Sequence, residues 1–178
     1  MLRFAALSTV LLGCTPPPES DADSGAAGQP LGIDYSADVD LPVVQARLHG
    51  HLPHVGDFDR NATDRTASLY EGKLYLDLHG TTDDWAMIYG TLNLMELELG
   101  VWTPLSEYEH TLVACSGPEP GTWFYDESAT SVEVRVDEVV IGGIRTDATP
   151  GLEVGVEASF PGGYSVSTVA VVPDPRTD

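Results

Sequence analysis

The chain has 178 residues, 42% of them hydrophobic, which is material for one packed core plus appendages rather than for two full domains. Its 8 Lys and Arg face 28 Asp and Glu, a formal charge of -20. That balance excludes a phosphate-binding surface for nucleic acid and docking of the domain face on anionic lipid, while favouring solubility and, locally, divalent cations.

Met1, Leu2 and Arg3 give a short cationic start, and Phe4 to Leu12 follow without a charge. A bilayer-spanning helix needs about 20 apolar residues, so this stretch has the length of a signal-peptide core and not of a span. It ends in Leu11-Leu12-Gly13-Cys14, which resembles the lipobox of bacterial lipoproteins: aliphatic, variable, small, then cysteine. The resemblance covers the leader alone and identifies no family for the rest. It implies cleavage before Cys14, diacylation of the Cys14 thiol and anchoring of the protein in a membrane of the bacterial cell envelope. Thr15, where enteric lipoproteins retained in the inner membrane often carry Asp, points by the same resemblance to the outer membrane, facing periplasm or cell surface. Two acyl chains hold firmly where one is reversible.

Residues 14–38 are rich in Pro, Ser, Gly and Asp and have no repeating apolar face, so they read as an extended acidic tether. The domain is expected over 39–172 and a frayed tail over 173–178.

Within the domain, apolar residues alternate with period two. Leu41 onward, Leu74-Leu76-Leu78, Val132-Val134-Val136, Leu152 to Phe160 and the run from Tyr164 read as strands with one wet face, separated by Gly- and Pro-containing turns. Asp84 to Val101 fits either one amphipathic helix or two strands, and two strands are favoured because of Gly90, Thr91 and the aromatics. The fold class expected is all-β: an antiparallel two-sheet sandwich of 7–9 strands, Greek-key or jelly-roll-like. Trp85, Trp102 and Trp123 read as core or rim packing, with nothing in the sequence placing them together.

His49 to Thr66 carries the densest set of candidate ligands, in an expected loop. Asp57, Asp59 and Asn61 have the D-x-D-x-N spacing that turns oxygens toward one calcium when the backbone coils, with Asp64 as a fourth ligand. The pattern departs from an EF-hand at Ala62 and Ser68, where Gly and Glu belong. His49, His51 and His54 offer a zinc alternative, and a metal-free turn is the third. No cofactor is expected here unless a structural calcium ion fills this segment. Cys115 has no partner once Cys14 is acylated and reads as a small buried hydrophobe. Asp126, Glu127 and Ser128 read as a polar turn. No motif fixes a catalytic geometry.

These readings point to a lipid-anchored, non-catalytic envelope protein with a binding or structural domain. Its membrane partner would be reached through the acyl chains, its ligand would be a protein or a polysaccharide, and nucleic acid is excluded. The alternative is a metal-dependent envelope hydrolase using the His49–Asp64 segment.

Overall fold

The computed structural model describes residues 28–33, 36, 38–81, 84–119, 122–142 and 148–177. The leader, Cys14 and most of the expected tether lie outside them. Twelve antiparallel strands form two six-stranded sheets among the described residues, more than the 7–9 expected.

The first sheet contains β1 (Asp38–Leu41), β4 (Asp64–Tyr70), β5 (Lys73–Thr81), β6 (Trp85–Asn93), β8 (Val113–Gly117) and β9 (Tyr125–Ser128), in that spatial order. The second contains β2 (Gln45–Leu52), β3 (Gly56–Asn61), β7 (Thr103–Leu105), β10 (Ser131–Ile141), β11 (Thr149–Phe160) and β12 (Tyr164–Pro173). Its spatial order is β3-β2-β12-β11-β10-β7.

Alternation drives this outcome. Leu74, Leu76 and Leu78 of β5 and Ala86, Ile88 and Leu92 of β6 face inward in the first sheet. Ala46 and Leu48 of β2, Val132, Val134 and Val136 of β10 and Leu152, Val154 and Val156 of β11 do so in the second, and all belong to one buried cluster. Each buried Leu, Ile or Val among them contributes about 1.5–3 kcal/mol by leaving water. The β4–β5 hairpin closes on Glu71 (φ 48°) and Gly72 (φ 73°), the pair of positive φ angles that a two-residue turn needs to match strand twist. Arg60 of β3 links the sheets: its Nη1 donates to the Asp84 carbonyl (2.8 Å) while its stem lies over Gly80.

Asp84 to Val101 forms no helix. One long strand, β6, is followed by a turn and by single bridges at Glu98 and Leu99, where a second strand was expected. Leu99 meets Val136 of β10, and the Gly28–Leu31 stretch pairs on its other side. There the Gly28 N–H donates to the Leu99 carbonyl (2.8 Å), the Leu99 N–H to the Gln29 carbonyl (2.7 Å) and the Leu31 N–H to the Leu97 carbonyl (3.0 Å). Leu31 and Ile33 are buried in the core. Residues 28–33, counted with the tether by composition, are thus packed as part of the domain.

The expected tail is also seated. Pro175–Thr177 form a 3-10 turn, and Arg176 donates to both oxygens of buried Asp174, to the Leu31 carbonyl and to Glu138 of β10.

Candidate functional site

The segment from His49 to Thr66, expected as a loop, is the end of β2, a turn over residues 53–55, all of β3 and the start of β4. Asp57, Asp59 and Asn61 alternate along an extended strand, which sets successive side chains on that face about 7 Å apart instead of coiling them around one centre. Asp57 Oδ1 accepts a hydrogen bond from His51 Nδ1 (2.7 Å). Asp59 accepts two bonds from Arg47 (2.6 and 2.7 Å), and that guanidinium holds its carboxyl below the usual range. Asp64 stands in the other sheet, in register with His79. Of the zinc alternatives, His49 faces Asp59 across β2 and β3, and His54 sits in the turn at φ 66°. Among the described residues no group of three or more His, Cys, Asp or Glu is arranged to hold a metal ion.

Cys115 lies in the middle of β8 at 2% exposure. Burial, reinforced by Asp126, pushes its thiol up to about 12, and Sγ contacts Asp126 Oδ1 at 3.4 Å. A thiol so rarely ionised is a poor nucleophile. Asp126, Glu127 and Ser128, read as a turn, belong to strand β9, which pairs with β8.

Something absent from the sequence reading appears where three connections meet. Buried Ser116 of β8 donates its hydroxyl to the Pro53 carbonyl in the β2–β3 turn (2.7 Å). Tyr125 of β9 donates to the Pro161 carbonyl in the β11–β12 turn (3.1 Å). Around these two ties the rings gather. Trp85 packs against Trp123 with centroids 5.6 Å apart and against His79 at 5.0 Å. Phe124 meets His54 at 4.7 Å, Tyr164 stacks on His51 at 5.8 Å, and Tyr125 meets Tyr164 edge-on at 5.2 Å.

Trp123 is 38% exposed and Phe124 58%. His79 is held by Asp77 (Nε2 to Oδ1, 2.6 Å), and its Nδ1 is buried without a partner among the described residues. Two of the three tryptophans and three of the five histidines therefore share one end of the domain. Trp85 and Trp123 are 38 positions apart in the chain, and they meet because Trp85 pairs with Gly117 of β8 while the stretch at Trp123 folds back on Ser116 and Gly117 from the other side. Such a surface can stack on a flat or apolar ligand face and supply polar ring atoms at its margin.

No protein-family model matches the chain, and comparison with curated proteins and with solved structures found no match. The geometry of the chain itself carries the functional reading.

Proposed function

We propose that the chain is a lipid-anchored, non-catalytic binding module of the bacterial cell envelope. In this reading it is held in the outer membrane by acyl chains on Cys14 and presents a two-sheet sandwich, of Greek-key or jelly-roll type, on an acidic tether. The observation that carries the binding role is the exposed pair Trp123 and Phe124, backed by Trp85 and His54, on connections at one end of a packed scaffold. The anchoring rests on the leader and on Leu11-Leu12-Gly13-Cys14. The hydrolase alternative gains no observation in its favour: Asp57 and Asp59 are bonded to His51 and Arg47, and Asp64 stands in the other sheet.

The test has two arms. The full chain made in a bacterial host is expected to take up a palmitate analogue, and Cys14→Ser to abolish the labelling. The Cys14→Ser chain is expected to sediment with delipidated envelope fragments, and the double change Trp123→Ala and Phe124→Ala to leave it in the supernatant at unchanged stability. An unlabelled wild-type chain overturns the anchor. Equal sedimentation of the aromatic variant overturns the site.

A further inference from the structure

The outer face of the second sheet continues from the aromatic end. His51 stands in register with Ser165 on β12, and Ser165, Ser159 and Ser131 form one row across β12, β11 and β10. Ser167, Glu157 and Glu133 form the next row. These six side chains line a trough of about 280 Å³.

Glu133 and Glu157 stand directly opposite one another on adjacent strands, a placement that like-charge repulsion disfavours. Neither has a hydrogen-bond or ion-pair partner among the described residues. Both arginines of this face are occupied: Arg135 grips Asp137 through Nε and Nη2 (2.7 and 2.8 Å), and Arg47 grips Asp59.

Two residues along β11 from Glu157, Gly155 lets an indole settle on the sheet. A Cβ at this position would meet Trp102 Cη2 at 3.2 Å. Trp102 is 40% exposed, and Val169, in register with Gly155, is 42% exposed. The trough thus lies between the row that carries a histidine and an aromatic and apolar shelf on the same face, the two about 13 Å apart along extended strands.

We propose that this face binds a neutral glycan; the inference rests on the binding-module reading and names its ligand class. A sugar ring has an apolar C–H face that stacks on an indole and a rim of hydroxyls that need acceptors. The trough supplies two free carboxylates and four hydroxyls beside such an indole. Unpaired carboxylates are strong acceptors for ligand O–H groups, which gives the opposed glutamates a use that folding does not. An anionic polymer is excluded by the same pair and by the overall charge of -20. A peptide strand finds no free backbone beside the trough, because β11 and β12 are paired on both sides and β10 is paired with β7 over Val132–Val134.

The experiment is calorimetric titration of the full Cys14→Ser chain with cellohexaose, maltohexaose and chitohexaose. Hexagalacturonate and polylysine are the anionic and cationic comparisons. At least one neutral hexasaccharide is expected to bind saturably. Trp102→Ala and the isosteric pair Glu133→Gln with Glu157→Gln should each weaken it about tenfold or more, the size of a lost charged hydrogen bond. Trp102→Phe keeps a ring on the shelf and should restore part of the affinity, which separates stacking from loss of fold. No saturable binding of any neutral sugar, affinity indifferent to Trp102 and both glutamates, or binding of polylysine alone overturns the proposal. None of these results touches the acyl labelling of Cys14 or the sedimentation that depends on Trp123 and Phe124, so the two readings fail separately.

Discussion

Replacing Arg176 by alanine tests the seating of both chain ends at once. The guanidinium reaches Asp174 at 2.7 and 2.8 Å, the Leu31 carbonyl at 3.0 Å and Glu138 at 2.7 Å. The Asp174 side chain is only 6% exposed, and breaking a buried pair by removing one partner costs about 3–5 kcal/mol. Two features reduce this figure: the Arg176 side chain keeps 20% exposure, and the backbone N–H of residue 176, which donates to Asp174 Oδ1 at 2.9 Å, is not removed by the substitution. A loss of about 2–3 kcal/mol is expected at pH 7, with the slope against urea unchanged, and roughly 4–12 °C in Tm.

The pH dependence carries a second signature. Hydrogen bonds from Arg176 hold the folded Asp174 carboxyl below its ordinary value, so this contribution is complete above the unfolded value of about 3.9 and is lost as pH falls through the folded one. Removing the guanidinium removes the largest cause of that lowering and leaves the burial that opposes it, so the variant should lose less stability than the parent on acidification. Urea unfolding followed by tryptophan fluorescence should therefore show the gap between the two proteins closing on acidification toward pH 3. A loss below about 0.5 kcal/mol at pH 7, or a gap indifferent to pH, would refute the reasoning.

Leu31→Ala should cost about 3 kcal/mol in the same assay, since it opens a cavity at a fully buried position, whereas a residue in a free spacer would cost nothing measurable. In the Cys14→Ser chain, Cys115 should resist an aromatic disulfide reagent at pH 8 and react only at the urea concentration where the fold is lost; rapid stoichiometric reaction of the native chain would contradict its burial and its thiol value of about 12. Ser116→Ala leaves the Pro53 carbonyl without its donor and should cost about 1–2 kcal/mol. Loosening the β2–β3 turn from β8 should also change the near-ultraviolet circular dichroism of the aromatic end, and an unchanged spectrum would count against that tie.

The parts of the fold legible in the sequence are those where one face is uniformly apolar. β5, β10 and β11 announce themselves because Leu or Val recurs at most second positions, and β12 because it is a β-branched run bounded by Gly and Pro. β3 does not: in GDFDRN only Phe58 is buried, and Arg60 takes the next inward place because its guanidinium finds the Asp84 carbonyl across the sheets. A strand built from Asp, Arg and Asn looks like a metal-binding loop until its partners are known. The docking of residues 28–33 is equally silent, since two apolar residues among Gly, Gln and Pro make no period, and their burial depends on the Leu97–Leu99 edge far along the chain. The aromatic end escaped for a similar reason. Its rings come from four separate connections and the strand ends beside them, and proximity there is a property of topology rather than of spacing.

Because Leu31 and Ile33 fill the interior, the smallest self-sufficient piece of this protein begins no later than Gly28. A gene shortened to start at Val39 would remove a plug from the hydrophobic interior and bare the backbone of Leu97 to Leu99, leaving an uncovered ribbon ready to recruit neighbouring molecules. Clumping of that shortened product would then report a missing wall, not a flaw in the design of the twelve strands.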